Sequence, residues 1–452
     1  MNYLDAVKLF KDIEKDYDVM SIKFNGVSVW PYYRIYLFDT LTSNSAVGHD
    51  GSALKLLLSS LFRYNPFRFF KKYRVWNYSS STTRKKIGNQ YEHHVSGYLH
   101  KSPYPVLTIE SPSPGIKPVD KSAIPEKSIV SGAWPLALTA VLELVSRPFK
   151  KQLEGEDILK SIIQKTGVSF NYKKRLGWLI AQKRATDFSL WIGHKPELIM
   201  MECYYTQIGR IWSAHNHHIP VVELQHGVLN RNHYAYNPTY HSDLLYPDEI
   251  CVYGEEEYRY FNEEEKNFVN RVTATGLYLL DRTVSFFKDD IFAEERKRYK
   301  SIAVVAGQRG GEEKLSAFVD EVAKSLTDVF FVYIPRHVID LSFTSPNVML
   351  KVGVNIYEYL KWCDFHMTIS STTGLEAHFY RKPVFFCDFN GVAKEYYGGI
   401  ISETNGAFYI HSKEELISLL PKLSSSSFEY RELFAHESEK NMLKVLERYL
   451  EK

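Results

Sequence analysis

The stretch MTISSTTGLEAHFYRKPVFF, residues 367–386, decides the reading of this chain. It predicts a short apolar strand at 367–369, four hydroxyl residues (Ser370, Ser371, Thr372 and Thr373), then Gly374 and a helix carrying Glu376. Lys382 and Pro383 turn the chain into a second apolar strand at 384–386. A strand that passes through small hydroxyl residues straight into a helix leaves backbone N–H groups pointing beyond the strand end, which outlines an anion site. A second reading competes: Thr373 and Glu376 have the S/T-x-x-E spacing of a capping box, in which each side chain satisfies a backbone donor of its own helix.

The same alternation extends in both directions. Upstream, 302–306 predicts a strand ending in the Gly-rich turn Gly307-Gln308-Arg309-Gly310-Gly311, which opens a helix; 329–334 predicts a strand ending in Pro335-Arg336-His337. Further upstream, strands at 196–203 and 219–224 flank a helix, and the second ends in Glu223-Leu224-Gln225-His226-Gly227. A loop rich in Asn, His and Tyr follows, then a strand at 249–254, an acidic helix at 255–270 and a strand at 272–276. Strands at 75–78 and 105–109 lead into polar loops. Such alternation implies βαβ units and mostly parallel sheets. The expected organisation is a first doubly wound domain over 1–285, opening with a helix, a strand or hairpin around Asn25-Gly26 and a second helix. A charged linker at 286–300, a second doubly wound domain over 301–425 and a C-terminal segment at 426–452, helical from about 427 and packed back on the first domain, complete it.

Composition bounds the partners. At 452 residues the chain exceeds one compact core. A net charge of +3 gives no argument for nucleic acid. Cys203, Cys251, Cys363 and Cys387 include no C-x-x-C pair and read as reduced cysteines of a cytoplasmic protein. The N-terminus lacks the apolar core of a signal peptide, and no apolar run reaches the roughly 20 residues that span a bilayer. Segment 52–74, SALKLLLSSLFRYNPFRFFKKYR, mixes Leu and Phe with Arg63, Arg68, Lys71, Lys72 and Arg74, and is the expected peripheral contact with the inner membrane face. Its rival reading is a core helix followed by a solvated basic loop.

In a parallel α/β sheet, ligands bind beyond the carboxyl ends of the strands, where each of these motifs falls. The ordered set QHG, VYGEEEYRYF, VTATGLYLLD, AVVAGQRGGEE, VYIPRH and SSTTGLEAHFYRKPV, spread over about 196–390, resembles the GT-B glycosyltransferases of bacterial capsule and surface-polysaccharide synthesis. The resemblance extends to sialyl- and Kdo-transferases, in which a His-Pro motif and a Ser/Thr pair grip the nucleotide phosphate. Here Pro335-Arg336-His337 stands where His-Pro is expected. It extends more loosely to teichoic-acid polyol-phosphate transferases, which carry Trp-His-Gly where this chain has Gln225-His226-Gly227.

The resemblance implies two Rossmann-like domains facing a central cleft and transfer of a sugar from a nucleotide donor to a growing, glycan or lipid-linked, surface acceptor. It implies that Glu376 holds the ribose hydroxyls and that Gln308 and Arg309 lie over the phosphates. Leaving-phosphate charge needs fixed donors; the Gly307 turn, Arg336 or His337, the Ser370, Ser371, Thr372 and Thr373 hydroxyls and the Gly374 N–H are the expected ones. The absence of a D-x-D element leads to the expectation of no metal and no cofactor. His226 is the expected general base, because imidazole titrates near neutrality, with Glu202 and Glu223 as rivals. Gln225, Gly227 and Asn230 are expected on the acceptor side. Two alternatives stand: a polyol-phosphate or sugar-phosphate transferase with a CDP-activated donor, and a non-catalytic nucleotide- or sugar-binding protein on the same scaffold.

Overall fold

The computed structural model describes residues 1, 3–42, 58–112, 119–147, 152–264, 266–308, 311–336, 340–389, 391–425 and 427–451. The opening of segment 52–74, up to residue 57, lies outside them.

The first domain opens with helix Tyr3–Asp16, the hairpin β1 (Lys23–Phe24) and β2 (Val27–Ser28), and helix Trp30–Thr42. Asn25 and Gly26 both take positive φ, 50° and 77°, as an Asn-Gly hairpin turn requires. There follow β3 (Val75–Ser80), a second hairpin of β4 (Arg84–Ile87) and β5 (Gln90–His93), then β6 (Val106–Ser111), β7 (Ile129–Ser131), β8 (Leu198–Glu202), β9 (Val221–Leu224), β10 (Glu249–Val252) and β11 (Arg271–Ala274). The second domain holds β12 (Ser301–Ala306), β13 (Val329–Ile334), β14 (Val348–Leu350), β15 (Phe365–Thr368), β16 (Val384–Cys387) and β17 (Ala407–Ile410).

One sheet has seven parallel strands in the order β11-β10-β9-β8-β3-β6-β7, the other six in the order β14-β13-β12-β15-β16-β17. Both are doubly wound. Their inner strands are buried on both faces, which is why β8 and β13 read as unbroken apolar runs rather than as alternation. In each sheet the strand order reverses once, between β3 and β8 and between β12 and β15. A crevice opens beyond the carboxyl ends at such a switch point.

The two domains share one apolar cluster. It runs from Val75, Leu198 and Met200 to Ile302, Val304 and Phe386. Helices Tyr278–Phe286, Ile356–Trp362 and Ser438–Leu450 contribute the side chains between. The C-terminal segment returns to the first domain: Ala435 N donates to Tyr253 O at 2.7 Å and Ser438 N to the Asp281 carboxylate at 2.7 Å. The Tyr449 hydroxyl donates at 2.8 Å to Glu249, a fully buried carboxylate that also pairs with Arg448.

Three elements differ from the sequence reading. The last helix begins at Ser438, not near 427, because the backbone before it is committed elsewhere: Glu429 N donates to Thr404 O, and the Leu433 carbonyl lies against Gly254. The acidic helix expected over 255–270 ends at Arg259 and passes into a single π-turn, Tyr260–Glu264. The polar loop expected after β3 contains the β4–β5 hairpin, tied down by Arg84, whose guanidinium is buried between Glu110 and Glu126.

The tight return of the chain predicts an asymmetry between two glycines. A Cβ on Gly254 would collide with the Leu433 backbone, whereas one on Gly227 would meet no protein atom within 4 Å. Gly254→Ala is expected to cost about 1–3 kcal/mol, or roughly 2–4 °C of Tm per kcal/mol, while Gly227→Ala leaves Tm unchanged. Thermal melts of the two variants check this.

Candidate functional site

The second domain's switch point is filled by its own side chains. Gln308 spans it, donating Nε2 to Ser370 Oγ at 2.9 Å and accepting Ser370 N at 2.7 Å. The Gly307 turn is glycine for packing: a Cβ there would collide with the Glu312 carboxylate, which folds back to accept from Arg336 N at 2.6 Å and the Tyr333 hydroxyl at 2.7 Å. Gly374 likewise leaves room for the Phe386 ring.

Much of the expected cradle of free backbone donors is occupied by the protein itself. Thr373 N donates to Ser371 Oγ at 3.3 Å, Gly374 N to Ser371 O at 3.0 Å, and Leu375 and Glu376 N–H to Thr372 O at 2.9 and 3.0 Å. These donors are consumed within the turn, so neither they nor Gly307 offer an open anion seat. The capping box does not form either. The Thr373 hydroxyl pairs with His366 Nε2 at 3.0 Å, and no side chain caps the helix start.

Glu376 instead lines a cavity of about 440 Å³ between the domains, with Thr372 and Tyr396 from the second domain and Asn230, Tyr253 and Glu257 from the first. It is 2% exposed; one oxygen accepts from the Thr372 hydroxyl at 3.3 Å and the other, Oε2, has no partner. Burial raises its pKa, against the pull of Tyr357, Lys85, Thr372 and Arg336. Tyr253 Oη, Glu257 Oε2 and Asn230 Nδ2, on the facing first-domain wall, are also buried without a partner. Hydroxyl, amide and carboxyl groups converging unpaired on one cavity suit a ligand rich in hydroxyls.

On the first domain, Gln225 is occupied and acts within the protein. Its amide oxygen accepts Tyr253 N at 2.6 Å, and its Nε2 donates to Gly227 O at 2.8 Å and to Glu257 Oε1 at 3.0 Å. It therefore aims Glu257, and an acceptor contact through Gln225 is not available. Burial pushes Glu257 up to about 7. His226 shares Nε2 with the Tyr205 hydroxyl at 3.3 Å, leaves Nδ1 unpartnered, and is pulled down to about 4 by burial. Glu202 ends β8 at the switch point, accepts from Ser96 at 3.2 Å and has its pKa raised by burial. Glu223 accepts from Tyr204 N and the Tyr236 hydroxyl on one oxygen at 3.1 and 2.6 Å and leaves Oε2 unpartnered; its complete burial removes it from reach of a substrate. Gly227 faces open space, and Asn230 lines the cavity.

Arg309 and His337 lie outside the described residues. Their neighbour Arg336 is exposed and in electrostatic range of Glu376. Opposite it stands Lys85 on the β4–β5 hairpin, held below its ordinary value by burial first and by Arg336 next. His94, just past the hairpin, meets Tyr357 Oη at 2.8 Å and comes within 3.9 Å of Glu376. Burial, with Lys85, Arg336 and His226 after it, pulls His94 down to about 3.

Lys85, His94, Tyr357 and Glu257 are absent from the sequence reading. The RKKIGNQYEHH run holds an alternation around Gly88-Asn89 that signals a hairpin, but nothing local aims it at the second domain. Among the described residues no group of three or more His, Cys, Asp and Glu is placed to hold a metal.

No family model matches the chain, and no curated protein matches it. Solved structures do. CalG4, the calicheamicin glycosyltransferase, superposes with a TM-score of 0.50 at 14% identity, over 84% of this chain and 99% of that one. The UDP-GlcNAc 2-epimerase from Methanocaldococcus jannaschii gives 0.49 at 10% identity over 83% and 99%, and the one from Neisseria meningitidis 0.49 at 12% over 83% and 99%. At this identity the likeness is one of fold: the chain has the GT-B fold, two Rossmann-like domains facing a cleft.

Burial raises Glu223 from its ordinary 4.5 to about 8. Its contribution is complete below the unfolded value and is lost as pH rises through the folded one. Across that window stability falls by about 1.4 kcal/mol per pH unit for this one group. Glu223→Gln, which keeps the acceptor for Tyr204 and Tyr236, is expected to remove one proton's worth of that slope, read as the difference between the two proteins' denaturation free energies across the pH range.

Proposed function

We propose that this protein is a metal-independent glycosyltransferase that moves a sugar from a nucleotide donor to a growing surface glycan. The observation that carries the reading is the interdomain cavity with its unpartnered Glu376, Tyr253, Glu257 and Asn230 atoms, beside the facing cations Lys85 and Arg336. Two cations held close in a half-buried site repel each other until an anion comes between them. A nucleotide diphosphate fits there, with its ribose hydroxyls on Glu376 and its sugar toward the first-domain wall.

Transfer requires that the attacking hydroxyl lose a proton as its bond to the anomeric carbon forms and the bond to the leaving phosphate breaks. Glu257 takes that proton. Its Oε2 is free, Gln225 fixes its other oxygen, and a carboxyl titrating near 7 combines available base with useful basicity. His226, pulled down to about 4, is neutral at physiological pH and a weaker base; its Nε2 meets the Tyr205 hydroxyl. Lys85 and Arg336 stabilise the charge that develops on the departing phosphate.

A thermal-shift panel of CMP, CDP, UDP, GDP and their sugar conjugates, with and without EDTA, tests the donor site, since a ligand bound only to the folded state raises Tm. A selective shift that survives EDTA is expected, weakened roughly 10-fold or more in affinity by Lys85→Ala and also by Glu376→Ala. No shift from any of them overturns the reading. With a turnover assay in hand, kcat/KM is expected to rise with pH through about 7 as Glu257 deprotonates. Glu257→Gln should abolish that limb and lower turnover by roughly 100-fold or more. A profile flat through neutrality, with the loss confined to His226→Ala, assigns the base to His226 instead.

A further inference from the structure

The chain's exposed apolar side chains are not scattered. Of the 18 large hydrophobic residues that face solvent among the described residues, 11 fall in three segments of the first domain: 58–70, helix Ala133–Ser146 and the end of helix Tyr172–Ile192. Trp191 is 79% exposed, Phe67 73% and Val145 63%. Scattered apolar residues need no explanation, but a concentration of this kind marks an interaction surface.

The three segments meet at the β7 edge of the first sheet. The rings of Phe62 and Trp134 lie 5.4 Å apart, Phe69 packs against Gly193 at the end of helix Tyr172–Ile192, and helix Ala133–Ser146 packs along that helix. Helix Ala133–Ser146, AWPLALTAVLELVS, has a single charged side chain, Glu143, which is buried and paired with Arg147 at 2.9 Å. Its solvent side is Trp134, Leu136, Val141, Leu144 and Val145. A helix apolar all round belongs in a core or in lipid, and this one has water-facing positions that no described residue covers.

The charge around the patch chooses the partner. Within 58–74, 133–147 and 184–195 there are eight Lys and Arg and two acids, Glu143 and Asp187. Both acids are neutralised within the protein, Asp187 by Lys183 at 2.8 Å. Lys71, Lys72, Arg184 and Lys195 are exposed. Apolar and aromatic side chains rimmed by unopposed cations match the acyl boundary and phosphate layer of an anionic bilayer. A second copy of the chain would bring the same cations against themselves.

We propose that this face docks the protein on the surface of an anionic phospholipid membrane, with Phe67, Val145 and Trp191 entering the acyl boundary and Lys71 and Lys72 on the lipid phosphates. No spanning is implied: among the described residues no helix is long and apolar enough to cross a membrane. The surface extends beyond the segment the sequence singled out, because helix Ala133–Ser146 and Trp191 belong to it.

Flotation of the full chain with vesicles tests it, using phosphatidylcholine alone and phosphatidylcholine doped with phosphatidylglycerol. Binding to the anionic vesicles, falling with salt, and little to the neutral ones is expected. The double variant Lys71→Ser/Lys72→Ser should weaken that binding about 30-fold. Phe67→Glu and Trp191→Glu should each lose it, with Tm and nucleotide-induced thermal shifts unchanged. Absence of binding by the unmodified chain overturns the proposal, as does binding indifferent to both sets of substitutions. A concentration-dependent dimer in sedimentation velocity that the same variants abolish also overturns it and assigns the face to a second copy.

Discussion

The cleft depends on one constraint: the chain, having completed its second domain, must come back and bury its last helix on the first. Met442, Val445, Leu446 and Leu450 do so. Each buried side chain of this size contributes roughly 1.5–3 kcal/mol before the entropy of ordering is subtracted. Contacts between domains are by default modest and polar, and leave the domains free to move. Here the apolar cluster is continuous across them, and the Gly254 and Gly276 backbones approach the returning segment too closely for a side chain. The result is a cleft of set width, into which residues more than 100 positions apart in sequence project.

That rigidity gives meaning to the unpaired polar atoms. Some deeply buried carboxylates are satisfied in full: Glu14, 1% exposed, accepts from Trp30, Arg34 and both the backbone and hydroxyl of Thr239. Glu110 is held between Arg84, His93 and Tyr64, and its pKa falls to about 2. At the cleft the same residue type is left half satisfied, at a cost of about 1–3 kcal/mol for each such group. Glu257 and Glu376 move in the opposite direction from Glu110, upward, because burial is not repaid by a partner. Glu126, Glu202 and Glu223 also carry an unpaired oxygen; those of Glu257 and Glu376 differ in lying on facing walls of one cavity.

The first domain thus presents two surfaces of opposite character. One is the polar crevice at the carboxyl ends of its strands, and the other is the apolar, cation-rimmed flank at β7. They use different elements, so changes at one need not disturb the other.

The sequence by itself determined the alternation of strands and helices, the two parallel sheets and the strand ends where chemistry belongs, because periodicity and turn residues are local properties. Thus β12, β13, β15 and β16 are legible from their apolar runs, and Glu376 and Asn230 from their position after a strand. Only the tertiary structure decided which polar residues remain available. Gln225, Gln308, Ser371 and Thr373 looked free and are spent on neighbours that the fold brings to them, and Glu223 is sealed in an aromatic core. Lys85 and His94 looked like loop residues until the hairpin, anchored by Arg84, carried them against the second domain. A hydrogen-bond partner is a matter of distance in space, and for these residues that distance is set by domain packing that no local stretch encodes.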